Sequence, residues 1–322
     1  MYETSFGLVK RPFAPAPRGD CYYPAATIEA ARQTLVRCIQ RAEGAAMVVG
    51  PTGAGKTLLC LVLAEHFRNT LDVVYLSSDG LRNRRALLQG ILHGLGKPYR
   101  GMDEGELRIV LADYLTGLGP ASAGMLLLID EAHTLPMGCL NELRMLTSVA
   151  ADGQPRTRLV LAGASLLEER LAHPKLDSFS QRLAARCYLE AMTRQETQAY
   201  IEAQVARSAD QASAAFAPEA CQAVYQATGG VPRLVNQVCD QALVLAAGAG
   251  QTKIDAARVQ EAWANLQQLP SPWNAEPVKG QPATEAIEFG ALEEEPGETA
   301  AVAPEPAPAA SPSPAAEAAP ES

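Results

Sequence analysis

Eight consecutive residues, Gly50-Pro51-Thr52-Gly53-Ala54-Gly55-Lys56-Thr57, fit the spacing G-x-x-x-x-G-K-[ST]. The motif needs a strand before it and a helix after it. The apolar runs Ala46-Met47-Val48-Val49 and Leu58-Leu59-Cys60-Leu61-Val62-Leu63 supply both. The glycines let the backbone wrap a phosphate, so that successive N–H groups and the helix N-terminus point at it. Lys56 would then reach the β- and γ-phosphates, and the Thr57 hydroxyl would join the shell of a Mg²⁺ ion. The expected nucleotide contacts are Gly50, Pro51, Thr52, Gly53, Ala54, Gly55, Lys56, Thr57 and Leu58. A second group of chemistry-bearing residues lies about 70 positions downstream in Met125-Leu126-Leu127-Leu128-Ile129-Asp130-Glu131-Ala132-His133. Five apolar residues ending in Asp-Glu make a buried strand that delivers two carboxylates to its C-terminal edge, where α/β sheets bind ligands. Asp130 would complete the Mg²⁺ shell with Thr57, and Glu131 would orient the attacking water. His133 has no ligand partners near it in sequence, which points to a structural or nucleotide-coupling role rather than to a metal.

Such residues must be positioned by a sheet. Short apolar or β-branched runs predict strands at Ala46–Gly50, Val73–Ser77, Met125–Asp130, Arg158–Ala162 and Arg186–Leu189. Helical segments alternate with them at Gly55–Phe67, Arg84–Leu95, Glu104–Leu118, Cys139–Ala150 and Leu166–Leu171. That alternation predicts a doubly wound, parallel, five-stranded sheet covered by helices. From Thr193 the strands stop, and Thr193–Arg207, Pro218–Ala227, Pro232–Ala247 and Asp255–Leu266 read as helices. Thr193 with Glu196 fits a capping box, and Pro218 and Pro232 suit a first helical turn. The expected organisation is an α/β nucleotide-binding domain at 1–192, a helical lid at 193–269 and a tail at 270–322.

The tail differs in kind. Its last 52 residues contain ten Pro, fourteen Ala and ten Glu, with one Lys. Such a segment buries too little apolar surface to offset its ordering entropy, so it is expected to be disordered, with Ala286–Leu292 as an apolar island. It carries the whole net charge of −9 and leaves residues 1–270 neutral. A neutral body does not read as a strongly basic nucleic-acid-binding domain. Seven scattered cysteines without C-x-x-C spacing read as free thiols of a reducing compartment. The N-terminus lacks a signal-type apolar stretch and no run approaches a membrane span, so the expected location is cytoplasmic.

On these motifs the sequence resembles the AAA+ P-loop ATPases, and within them the general secretion pathway protein A group with its transposition-associated relatives. The resemblance spans about residues 1–268. It includes Tyr2, Phe6-Gly7-Leu8, Arg11-Pro12-Phe13, the phosphate loop and Asp130-Glu131-Ala132-His133. Farther on it includes Phe179-Ser180-Gln181-Arg182-Leu183-Ala184-Ala185-Arg186 and Gly229-Gly230-Val231-Pro232-Arg233-Leu234-Val235-Asn236. The resemblance implies ATP binding and hydrolysis with Mg²⁺, and a lid arginine, Arg233, that reaches the γ-phosphate within the subunit. It also implies an arginine finger, Arg182 or Arg186, offered in trans to a neighbour in a homo-oligomer. The adenine would lie near Leu8, Pro12 and Phe13, residues that could equally pack the edge of the first strand.

The chain departs from its relatives at Leu161-Ala162-Gly163-Ala164-Ser165, where they place a polar amide near Ala164 and only Ser165 could serve. The secretion-type relatives continue into a membrane span and a cell-wall-binding domain that residues 270–322 do not match, so a secretion role is not carried over. The client is expected to be an unidentified protein. Arg82-Asn83-Arg84-Arg85 allows a DNA contact or an ordinary solvated helix start. Two further readings are an ATP-gated, DNA-associated regulator and a nucleotide-dependent scaffold with little hydrolysis.

Overall fold

The computed structural model describes residues 2–117, 124–151, 153–209 and 215–268. The expectations for 270–322, the island Ala286–Leu292 included, lie outside the described residues. All described residues fall in one compact unit. In chain order the elements are α1 (Tyr2–Ser5), α2 (Ala26–Arg41), β1 (Ala45–Val49), α3 (Lys56–Phe67), β2 (Asp72–Ser77), α4 (Arg84–Gly94), α5 (Glu104–Gly117) and β3 (Met125–Asp130). There follow α6 (Met137–Leu146), a two-residue pair β4 (Ala150–Ala151) and β5 (Gln154–Pro155), β6 (Thr157–Gly163), α7 (Leu166–Leu171), α8 (Asp177–Ser180) and β7 (Leu183–Tyr188). The C-terminal helical region, expected from the sequence as a lid and called so below, comprises α9 (Arg194–Ala206), α10 (Pro218–Thr228), α11 (Pro232–Gly248) and α12 (Ala256–Gln267).

Five strands form one parallel sheet in the order β2-β3-β6-β1-β7. β1, β3 and β6 are buried along their whole length, which is why they read as unbroken apolar runs. β6 lies between the strand that launches the phosphate loop and the strand that ends in Asp130-Glu131. Its pairing sets Val49 opposite Gly163 and Ile129 opposite Leu161, so the three C-terminal ends lie side by side. The pleat divides the core in two. Met47 and Val49 face α4, α5 and α6, whereas Ala46 and Val48 face α2, α3 and a cluster continuing into the lid through Ile201, Val224 and Val235. That shared apolar core packs the lid against the sheet domain.

Several boundaries differ from the sequence expectation. The last strand runs Leu183–Tyr188 rather than Arg186–Leu189, because as an edge strand it alternates buried and exposed positions instead of forming an apolar run. α6 ends at Leu146 rather than Ala150, which belongs to the short β4. The 16-residue helix α2 was not expected at all. The capping box of α9 is present, with Thr193 and Glu196 each bonded to the other's backbone. Among the described residues no helix is long and apolar enough to cross a membrane.

Candidate functional site

The phosphate loop leaves β1 at Gly50 and ends in the first turn of α3. Gly53 has φ +86°, and a Cβ there would stand 2.9 Å from Arg233 Cβ, so only glycine lets the loop pass this close to the lid. The Arg233 backbone N–H donates to Gly53 O at 3.3 Å. Lys56 is buried, its Nζ donating to Gly50 O at 2.9 Å and Pro51 O at 3.0 Å. Burial depresses its ammonium below the usual lysine range, while the carboxylates of Glu131 and Asp130 act to raise it. A buried ammonium held by two carbonyls of the loop is a cation available to an anionic ligand in the cleft.

Asp130 joins the loop to the carboxylate strand. Its Oδ2 accepts from Thr57 Oγ1 at 2.6 Å and from Tyr75 OH at 3.1 Å, and its Oδ1 accepts from the Glu131 backbone N–H at 2.9 Å. A hydroxyl and a carboxylate in contact are the hard oxygen donors that Mg²⁺ accepts beside nucleotide phosphates, so the residues present fit that ion. Tyr75 was not singled out in the sequence. A polar-tipped side chain in the middle of Val73-Val74-Tyr75-Leu76 was the available signal, and burial first, then Asp130, pushes its phenol above the usual range.

Glu131 has φ +52°, a left-handed conformation unusual for a non-glycine residue. Ser78 Oγ donates to its carbonyl at 2.8 Å and so does Thr134 Oγ1 at 3.1 Å. The backbone is thus fixed while the side chain stays 43% exposed and lines the cleft.

The lid and the N-terminal arm close the other side of a cleft of about 470 Å³, a volume in the range of small-ligand sites. Thr52 to Leu58, Glu131 and Arg233 all line it, and so do Pro12 and Phe13. Leu8 does not: it is buried and bridged to Ala209. Phe13 packs edge-on against Phe216, just before α10, with ring centroids 5.9 Å apart, and belongs to the apolar cluster that also holds Ala46 and Val48 of β1. The arm is fastened by a cluster that sequence spacing did not reveal. Asp240 on α11 accepts from Tyr2 OH and from Arg11 Nε, both at 2.7 Å, and its other oxygen pairs with Arg11 Nη2.

Arg182 and Arg186 lie outside this cleft. Arg182 donates to Ser148 Oγ, and Arg186 donates to Ser180 Oγ at 2.9 Å and lies 3.5 Å from Glu168. Ser165 caps nothing with its side chain, whereas the Ala164 backbone N–H faces His133 Nδ1 at 3.4 Å. In the basic cluster Asn83 caps α4, Arg84 pairs with Glu104 at 3.2 Å and Arg85 donates to Met102 O at 2.7 Å. Those contacts fit the ordinary helix start better than a phosphate-binding patch.

Comparison with known proteins agrees with this geometry. Residues 39–171 match the family model of the AAA domain. The chain is 31% identical over 256 residues to General secretion pathway protein A of Aeromonas hydrophila, covering 79% of this chain and 46% of that protein. It therefore spans about half the length of the curated relative it matches. Among solved structures it is similar to Cdc6p from Pyrobaculum aerophilum, with a TM-score of 0.63, 19% identity, and 81% of this chain and 70% of that one covered. It is similar also to the ADPNP–ADP complexes of the Aeropyrum pernix ORC2 protein, with a TM-score of 0.56, 18% identity, and 74% and 66% covered. At such identities the structural likeness speaks for the fold.

Proposed function

We propose, for a chain whose residues 39–171 belong to the AAA domain family, that it binds ATP in the cleft between sheet and lid, hydrolyses it, and acts as a homo-oligomer. The observation that supports this most is the 2.6 Å bond from Thr57 to Asp130, with Lys56, Glu131 and Arg233 lining the same cleft. The triphosphate would lie on the loop N–H groups and the N-terminus of α3. Lys56 would trade the carbonyls of Gly50 and Pro51 for phosphate oxygens. Thr57 and Asp130 would hold Mg²⁺, which neutralises charge on the β- and γ-phosphates.

Glu131 would orient a water and take its proton as the water oxygen attacks the γ-phosphorus. The bond to the β–γ bridging oxygen breaks, giving ADP and phosphate. Arg233 would read the γ-phosphate from the lid, and its loss would move the lid relative to Gly53. Arg182 and Arg186, which do not line their own cleft, would offer one guanidinium to a neighbour's ATP, where a fixed cation stabilises the developing charge. The lid movement would be coupled to assembly or remodelling of a protein client in the cytoplasm, where ATP is supplied. The likeness to General secretion pathway protein A favours a client of envelope or secretion type. Calorimetry of ATP binding tests the site. Lys56→Ala should abolish tight binding while Glu131→Gln preserves it. Equal affinity in Lys56→Ala and the parent would refute the assignment of the loop.

A further inference from the structure

The turn after Glu131 brings a second side chain to that carboxylate. His133 Nδ1 lies 3.3 Å from Glu131 Oε2 and 3.4 Å from the backbone N of Ala164. One ring nitrogen cannot serve both partners. To pair with Glu131 it must carry a proton and donate, and to accept the Ala164 N–H it must present its lone pair. His133 thus has two mutually exclusive partners. One is the carboxylate that faces the cleft, and the other is the end of β6, the strand lying between the phosphate-loop strand and the Asp130-Glu131 strand.

The surroundings leave the ring little else to do. At the end of β6 a Cβ on Gly163 would stand 3.1 Å from His133 N and 3.4 Å from His133 Cβ, so the absence of a side chain there admits the turn. The Arg170 guanidinium on α7 donates to the backbone carbonyls of both His133 and Leu135. Ser78 and Thr134 fix the carbonyl of Glu131, and the His133 side chain is 21% exposed. With the backbone pinned on both sides, the choice open to the ring is which partner Nδ1 takes. Ala164 has no polar side chain, so it is the imidazole from the neighbouring strand end that meets Glu131 on this side.

We infer that His133 is a positioning residue for Glu131, supplying the polar group that the end of β6 lacks. When the ring proton sits on Nδ1 and is donated to Glu131, the carboxylate is held in the orientation that receives the attacking water. When Nδ1 turns to the Ala164 N–H, that hold is released and the carboxylate is left unpositioned. The inference rests on the hydrolysis proposed above and deepens it. His133 acts through Glu131 and does not line the nucleotide cleft.

The test compares His133→Asn, His133→Gln and His133→Phe in the full chain, by phosphate release, ATP calorimetry and thermal melting. Asparagine sets a polar atom near the position of Nδ1, glutamine sets one farther out, and phenylalanine keeps only the ring. Phenylalanine and glutamine should lower kcat on the order of 10- to 100-fold, as a misplaced reacting group does. The ATP Kd and the melting temperature should stay nearly unchanged, and asparagine should keep at least about a third of the activity. The asparagine–glutamine contrast decides the matter even if the phenylalanine variant folds poorly. Asparagine no better than glutamine, full activity in all three, or a loss of ATP binding would each overturn the inference. A parent with no hydrolysis that Glu131→Gln abolishes would instead overturn the proposed function, and the positioning role with it.

Discussion

Replacing Asp240 with asparagine should loosen the N-terminal arm from the lid and weaken nucleotide binding together. The carboxylate is only 14% exposed and accepts Tyr2 OH, Arg11 Nε and Arg11 Nη2. Hydrogen bonds to a charged group contribute roughly 1.5–3 kcal/mol each when shielded. Arg11 is 46% exposed, so solvent screens its share strongly. An amide keeps one acceptor for Tyr2 but loses the charge and turns donor atoms toward the guanidinium. The net cost should be about 2 kcal/mol, or on the order of 4–8 °C in melting temperature for a body of this size. Arg11, Pro12 and Phe13 line the cleft, so that energy is available to the ligand site. If all of it were needed to hold the arm in place, ATP affinity would fall about 30-fold, which sets the upper bound. A double-mutant cycle with Arg11→Met, read by thermal melting and ATP calorimetry, should return a coupling of about 1 kcal/mol. Additive effects, with a melting shift under about 1 °C and an unchanged ATP Kd, would refute the latch.

Removing the guanidinium proposed to act in trans, by Arg182→Ala or Arg186→Ala, should cut phosphate release about 10³-fold while sparing ATP affinity. Mixing that variant with Glu131→Gln should restore part of the activity, and no rescue would make the arginine a surface residue. Glu29 is held down to about 2, chiefly by Arg32 and further by Gln33 and Tyr22, so its contribution is present above the unfolded carboxylate range near 4.5 and fades as pH falls toward 2. Glu29→Gln should therefore cost about 1–2 kcal/mol at pH 7, with a melting gap to the parent that narrows steadily on acidification; a gap independent of pH speaks against the pairing. Gly230 has φ +75°, and a Cβ there would lie 2.0 Å from Met192 O. Gly230→Ala should thus break the hydrogen bond from Met192 N–H to Gly230 O and destabilise by about 2–4 kcal/mol, whereas a denaturation midpoint equal to the parent's would mean the backbone there gives way freely.

The parts of the fold that were legible in the sequence are those written in neighbouring residues. Gly50 to Thr57 carries its own turn chemistry, and Met125 to Glu131 carries both its burial and its carboxylates. Thr193 and Glu196 announce a helix start by themselves. α2 was missed although Ile28, Ala31, Leu35 and Cys38 follow a helical period, because Ala25 offers no capping side chain. The Ala26 N–H is capped by Glu196, 170 positions away, the same residue that closes the capping box of α9. The Asp240 latch joins residues more than 200 positions apart and was invisible for the same reason. β7 begins three residues before the expected start because an edge strand shows only half of its pattern in apolar side chains. In the site, His133 looked isolated because one of its partners, just past the end of β6, is a backbone N–H, which no side-chain motif reports.

The cleft lined by Lys56, Thr57, Glu131 and Arg233, with Asp130 bonded to Thr57 beside it, is proposed to turn over ATP. Phosphate release from the purified parent and from Glu131→Gln, at saturating ATP and Mg²⁺ and at several protein concentrations, tests it most directly. Turnover in the parent should rise in specific activity as subunits associate. Glu131→Gln should lose at least about 10²-fold, the range for removing a general base, with ATP still bound. No phosphate release from a parent that binds ATP, or release undiminished in Glu131→Gln, would contradict it.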